Sequence, residues 1–456
     1  MAKQAKSGAR KATGSTLAIF GGPRAVPENA TFPQWPWLSD ADVAAGTEAL
    51  KKAQTDELYL SAARGGGPMG AFEADLMQYL DVPYCVTTCG GGPALHMAVV
   101  AAGVEAGDEV ITTPYTWGQS ISCILQQCAI PVFADIDPET YTLDPQSIEK
   151  KITPRTKAIV VVHLYGHPAE MDPILDLARR HKLKVIEDCA QAEFATYKGR
   201  KVGTLGDVGC YSMGSGKNLI GGEGGALVTR DELLYKRAVT FGMHPGRFRQ
   251  IIQGVPYLET YASSLIYTYR AHPIFCVLVN SQLQRVDEMN EWRRTNARHL
   301  SAALKESKLV RPPVERKDCT HVYHIYAPQF QPQAAKGLTA PDFVKALKAE
   351  GAGVGKGYVG TPFHLQPTFR DRVYWYGKGL PWSLRAPADQ IVYRQGDCPV
   401  AEKLCREHEL YINSSPWYVD VRPILDKWIA AFRKVEKKLD ELVARLPEVR
   451  AWEPPK

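Results

Sequence analysis

Tyr84-Cys-Val-Thr-Thr-Cys89-Gly-Gly-Gly-Pro93-Ala-Leu-His96-Met-Ala-Val-Val-Ala-Ala-Gly103 holds the reading that decides the fold. Its first half is short and β-branched, as in a strand. Its second half, from Pro93 to Gly103, is rich in Ala, Leu and Val and reads as a helix. The alternation recurs outward from here. Glu109-Val-Ile-Thr-Thr113, Pro131-Val-Phe-Ala134, Ala158-Ile-Val-Val-Val162, Lys184-Val-Ile-Glu-Asp188, Val208-Gly-Cys-Tyr-Ser212 and Gly225-Ala-Leu-Val-Thr229 read as further strands, with helical patterns between. Near-continuous apolar strands alternating with helices predict an α/β domain with a mostly parallel, buried sheet. Ligands in such sheets lie beyond the carboxyl ends of strands, so the polar residues at those ends carry the most weight.

Residues 273–305 read as one or two long helices, with Val279, Leu283, Val286, Met289, Trp292, Leu300 and Leu304 on the apolar face. Past about 311 the texture changes. A strand-like His321–Ala327 precedes a helix from Pro341 to Glu350 and a loop-like stretch over 355–397 that contains Tyr374-Trp-Tyr-Gly-Lys-Gly-Leu-Pro-Trp382. The last helix starts after Pro423 and carries Ile424, Trp428, Phe432, Val435, Leu439, Leu442 and Leu446 at helical spacing, a packing stripe. The predicted organisation is a basic tail over 1–16, an arm and helix over 17–60, a large domain over 61–310, and a smaller α/β domain over 311–456 with an extended loop over 368–400.

Composition narrows the classes. A chain of 456 residues, 45% hydrophobic and 23% charged, is neither wholesale disordered nor a rod. No run of ~18 uncharged apolar residues occurs, so no membrane helix is expected, and the basic leader lacks the apolar stretch of a secretory signal. Lys3, Lys6, Arg10 and Lys11 hold most of the net charge of +6, which leaves no basic stripe for nucleic acid on the folded part. The ten cysteines form no CxxC pair, which argues against zinc-ribbon and thioredoxin-type sites and points to a reduced, cytoplasmic compartment. No His/Asp/Glu cluster has metal-ligand spacing, so no metal is expected.

Ser212-Met-Gly-Ser-Gly-Lys217-Asn-Leu-Ile-Gly-Gly-Glu-Gly-Gly225 invites two phosphate-site readings that both fail. A P-loop would need Gly at Tyr211 and Ser or Thr at Asn218, and a dinucleotide fingerprint would need Gly at Leu219. What remains is a lysine on a glycine-rich loop after a strand. Upstream, Asp188 closes the strand of Val185-Ile-Glu-Asp188-Cys-Ala-Gln191-Ala. A buried carboxylate there must protonate or find a partner. Together these pieces match the needs of pyridoxal phosphate: a lysine for an imine, an acid for the ring nitrogen, an aromatic face and backbone N–H groups at a helix start. Lys217, Asp188, Trp117 and the turn Gly90-Gly91-Gly92 are the candidates, with Ser212 adding a hydroxyl.

On these residues the chain resembles the DegT/StrS family of sugar aminotransferases, fold type I enzymes, from about Leu17 to the C-terminal helix. The similarity is carried by Leu17–Gly22, Gly90–His96, Pro114–Trp117, His163–Gly166, Glu187–Ala192, Gly199–Gly203, Ser212–Gly225, Tyr267–Pro273, Gln282–Glu288 and Pro362–Pro367, in order and spacing. The resemblance implies a mostly parallel seven-stranded sheet and pyridoxal phosphate. It implies Lys217 as the imine lysine, Asp188 on the pyridine nitrogen, Gln191 on the ring hydroxyl, Trp117 stacked on the ring, and Ser212, Gly91 and Gly92 on the phosphate. It further implies a homodimer with shared active sites, in which the segment around Thr268 and Tyr269 reaches the partner's site. His364, Tyr269 and Tyr165 are the expected substrate residues.

Four departures stand out. Gly90-Gly-Gly-Pro93 replaces the usual Ser-Gly-Thr-Ala, so a Thr hydroxyl and one N–H are missing from the phosphate turn. Thr268 stands where the family often has Asn, Glu193 where it often has His, and 368–400 is longer than usual. The expected activity is transfer of an amino group from L-glutamate or L-glutamine to a ketone on a sugar nucleotide or cyclitol, in secondary-metabolite or surface-sugar biosynthesis. The opening Leu17–Gly22 with Trp35-Pro-Trp37 leans towards inososes and aminoshikimate-type substrates. Two alternatives remain: a sugar dehydratase of the same fold, whose known members carry His in place of the lysine, and a non-catalytic partner subunit.

Overall fold

The computed structural model describes residues 17–260, 266–374, 377 and 379–454. The expected basic tail lies outside the described residues, as do Trp375, Tyr376 and Lys378 of the aromatic stretch. All seven apolar runs are strands of one sheet: β1 (Tyr84–Thr88), β2 (Glu109–Thr112), β3 (Ile130–Phe133), β4 (Thr156–Val162), β5 (Lys184–Asp188), β6 (Val208–Ser212) and β7 (Gly225–Thr229). Their spatial order is β1-β7-β6-β5-β4-β2-β3. β7 runs antiparallel to both neighbours and every other pair is parallel. The carboxyl ends of six strands therefore share one edge, where Gly225 opens β7 between Thr88 and Ser212.

Both faces of the sheet are covered, as continuous apolar runs require. Val86, Val160, Ile186 and Leu227 face one core with Leu95 and Ala98 of α3 (Gly91–Ala101). Cys85, Tyr211 and Val228 face another core. The stretch over 273–305 is two helices, Pro273–Leu283 and Val286–Leu304. Arg285 sits in the break at φ −126°, ψ 6° and binds Asp42, the capping-box residue of Asp40–Ala53.

A third core joins the start and the end of the described residues. Leu17, Ile19 and Phe20 pack with Leu300, Phe343, Trp417, Trp428 and Phe432. Buried Glu350 secures this packing. Its carboxylate accepts from Ala18 N at 2.8 Å, Ala25 N at 2.9 Å and Lys434 Nζ at 2.7 Å. The C-terminal stripe does not lie on one helix. It runs over Arg422–Lys437, Leu439–Ala444 and Leu446–Ala451. Pro447 explains the last break, because it cannot donate to the carbonyl four residues back.

Described residues of the long stretch over 368–400 pack against the sheet. Phe369, Trp382 and Tyr393 are buried against Phe133 of edge strand β3. Trp382 Nε1 donates to the Tyr393 hydroxyl at 2.9 Å, which donates to Pro131 O at 2.8 Å. Arg385 reaches Glu109 Oε1 at 2.7 Å and Gly107 O at 2.7 Å. An open strand edge is thereby covered.

Candidate active site

At the carboxyl edge of the sheet lies a cavity of about 330 Å³ that brings together Lys217, Asp188, Gln191, Trp117, Ser212, Gly91 and Gly92. Asp188 ends β5 and is 4% exposed. Its Oδ2 accepts from Ser120 Oγ at 2.6 Å and its Oδ1 from Ala190 N at 3.0 Å. Among the described residues no cation pairs with it. Lys217 rides the loop between β6 and β7, and it too forms no ion pair among the described residues.

Between β1 and α3 the chain makes a cradle that side chains would fill. A Cβ on Gly91 would lie 2.6 Å from Ser212 Cβ, and one on Gly225 would lie 2.5 Å from Tyr211 O and 2.8 Å from Gly90 C. The first α3 amide bonded within the helix is that of Ala94, to Gly90 O at 3.2 Å. The N–H groups of Gly91 and Gly92 are thus left for an anion at the helix start. Trp117, 58% exposed, offers an indole face at the rim. A buried carboxylate without a cation, an unpaired lysine, an open aromatic face and an anion cradle fit a flat cationic ring bearing a phosphate.

Gln191 is held from two sides. Its Oε1 accepts from Tyr165 N at 3.0 Å, and its Nε2 donates to the Tyr358 hydroxyl at 2.7 Å, leaving one N–H free. The substrate residues expected from the sequence are not in this cavity. Tyr165 is 2% exposed and its phenol meets Tyr115 at 2.6 Å, whose own hydroxyl donates to Glu409 at 2.8 Å; it lies beneath the wall. His364 is wholly buried, with Nε2 2.9 Å from Glu402, because its motif turns inward against Phe133. Tyr269 bonds His96 Nδ1 at 3.0 Å on the far side of α3, while its carbonyl accepts from Cys89 N at 2.8 Å. Burial holds His96 down at about 4, so its ring is neutral at physiological pH. Thr268 is exposed beside Tyr269, outside its own chain's cavity.

Ser120 and Tyr358 had no signal in the local sequence pattern. His163, which follows β4, is structural. Its Nδ1 accepts from Ala169 N at 3.0 Å, so Nε2 carries the proton given to Glu187 at 3.0 Å. Glu187 also accepts from the amides of Gly203, Leu205 and Gly206. The close grouping of His163, Glu187 and Cys189 is therefore hydrogen-bonded within itself and its surroundings.

Glu193 is fully buried. Its Oε2 accepts from Asn218 N at 3.4 Å, and its Oε1 has no partner. Burial pushes its carboxyl up to about 8 from an ordinary 4.5, against the pull of Lys217 and Arg293. Below 4.5 it is protonated folded or unfolded. As pH rises to 8 the unfolded chain releases the proton while the folded one keeps it, so stability falls across that window. Glu193→Gln has no such titration. Its Tm is expected to gain on the native chain by about 3–5 °C between pH 5 and pH 8.5; a constant difference by calorimetry would refute this.

Sheet order, lysine loop and helix-start cradle together define an enzyme of the pyridoxal-phosphate-dependent aminotransferase fold. Residues 51–415 match the model of the DegT/DnrJ/EryC1/StrS aminotransferase family, and the chain belongs to that family. An L-glutamine:2-deoxy-scyllo-inosose aminotransferase of Streptoalloteichus tenebrarius is 34% identical over 81% of this chain and 82% of its own. One of the same description from Streptomyces lividus is 37% identical over 66% and 70%. The crystal structure of an aminotransferase from Psychrobacter cryohalolentis superposes with a TM-score of 0.77 at 28% identity, covering 90% of this chain and 100% of that one. The chain is a pyridoxal-phosphate-dependent aminotransferase. No helix among the described residues is long and apolar enough to cross a membrane.

Proposed function

We propose that this enzyme moves the amino group of L-glutamine to the ketone of a cyclitol of the inosose type. One observation carries the choice of a cyclitol over a sugar nucleotide. Sharing Thr116, Trp117 and Gln119 with the first is a second cavity of about 500 Å³, walled by Ile121, Leu125, Tyr358, Phe363, Phe369 and Tyr374, and none of its described lining residues is charged. A nucleotide diphosphate bound there would lose water without meeting a cation, which is costly. A neutral polyhydroxylated ring instead finds aromatic faces and the hydroxyls of Tyr358, Thr116 and Ser122. The names of the relatives point the same way.

The residue roles belong to the same reading. Lys217 bonds the cofactor and, once released, carries the proton at its Nζ from the donor's α-carbon. Asp188 keeps the ring nitrogen protonated and Ser120 orients it. Gln191 meets the ring hydroxyl through its free N–H, Trp117 covers the ring, and Ser212 with the Gly91 and Gly92 amides holds the phosphate. Pyridoxal phosphate itself supplies the electron sink. A second copy of the chain completes the site with its Thr268. Exposed Val43 and Leu50, seven residues apart on Asp40–Ala53, support such a pairing. The ten free cysteines support a reducing, cytoplasmic setting.

The test offers L-glutamine with either 2-deoxy-scyllo-inosose or a nucleotide-linked keto-sugar and follows the aminated product by mass spectrometry. Amination of the cyclitol, with the nucleotide sugar left untouched, is expected. Faster amination of the nucleotide sugar would overturn the proposal.

A further inference from the structure

The turn before α3 faces the start of another helix across the cavity. Gly92 brings no hydroxyl to the cavity and Pro93 no N–H. Opposite Gly92 stands Gln119, the first residue of the helix Gln119–Gln126. A Cβ on Gly92 would lie 3.1 Å from Gln119 Cγ and 3.8 Å from its Cβ. A hydroxyl-bearing side chain at 92 would therefore crowd the exposed Gln119, which must give by a few tenths of an ångström. Gln119 lines the same cavity as Gly91, Gly92 and Ser212. Its amide makes no hydrogen bond to any described residue, although both its N–H groups are strong donors.

We infer that Gln119 binds the cofactor's phosphate, its Nε2 donating where position 92 has no hydroxyl. The inference rests on the reading that Gly91, Gly92 and Ser212 hold the phosphate. A hydrogen bond to an ionised oxygen is among the stronger ones, so the missing donor is made good from across the cavity. Gly92 and Gln119 then act as a matched pair: the glycine makes the room that the glutamine uses.

The test uses pyridoxamine phosphate and pyridoxamine, neither of which can bond to Lys217, and measures the Kd of each for the full-length chain by equilibrium dialysis. Gln119→Ala is expected to weaken pyridoxamine phosphate about 10- to 100-fold and leave pyridoxamine unchanged. The double variant Gly92→Thr, Gln119→Ala is expected to recover most of that loss, whereas Gly92→Thr alone meets the glutamine and weakens binding. Equal weakening of both ligands by Gln119→Ala, or no weakening with a raised KM for the acceptor ketone, would overturn the assignment, because Gln119 also borders the second cavity. Ser212→Ala separates the two layers. If it weakens only the phosphorylated ligand while Gln119→Ala does nothing, the phosphate wall stands and the glutamine assignment falls. If Ser212→Ala has no effect, the wall itself is misassigned and the glutamine assignment falls with it.

Discussion

Lys217→Ala is expected to remove the yellow band of the purified enzyme and reduce amino transfer by about 10⁴-fold or more. The size follows from what leaves with the side chain. In the proposed role one nitrogen would hold the cofactor covalently and also carry the proton, and a positioned acid–base group alone accounts for about 10²–10⁴. Its environment suits both tasks: it projects from the loop between β6 and β7 into a cavity that also holds Asp188, and no carboxylate ties it down as an ion pair among the described residues. The fold should be untouched, because Lys217 is not part of any buried core. Borohydride reduction followed by mass spectrometry checks the result, with the cofactor mass fixed on the native chain and absent from the variant. A variant that keeps the fixed mass would move the linkage to another lysine.

Asp188→Asn is the second large effect. The carboxylate is buried, hydrogen-bonded on both oxygens and without a cation among the described residues, which suits the proposed contact with the cofactor's ring nitrogen. Breaking a buried ionic contact of this kind costs about 2–5 kcal/mol, or a loss of about 30- to 5000-fold in rate. Asparagine retains an oxygen for Ser120 and the shape of the wall, so cofactor binding should weaken less than catalysis. Rapid-mixing kinetics of the reaction with L-glutamine read the rate directly. A native rate in the asparagine variant would remove Asp188 from the mechanism.

The sheet was legible because each of its strands is a continuous apolar run, a pattern that parallel strands buried on both faces impose. Asp188 and Ser212 stood out because each is a polar residue that closes such a strand. Ser120 and Tyr358 were hidden because the groups they serve are far along the chain: Ser120 lies 68 residues from Asp188, and Tyr358 lies 167 from Gln191. His364 shows another limit. Its motif marked a position, but the direction of the ring depended on Glu402, 38 residues onward. The aromatics of 368–400 had no periodicity to say which way they faced, and the uncovered edge of β3 determined it. The C-terminal stripe kept helical spacing across its breaks, so periodicity alone ran the three helices together.

The union of the start and the end of the described residues in one core has a consequence for how the protein is made. Ala18 and Ala25 are bonded by a carboxylate 332 and 325 residues later, and Phe20 packs with Phe432. On the ribosome these early residues emerge long before their partners exist, and contacts so distant in the chain close slowly. The leading segment must therefore wait, undocked, until the helix Arg422–Lys437 has been made. A nascent chain stalled between residues 350 and 420 would hold a finished sheet and an unclosed core, with Leu17, Ile19 and Phe20 open to any chaperone that recognises apolar segments.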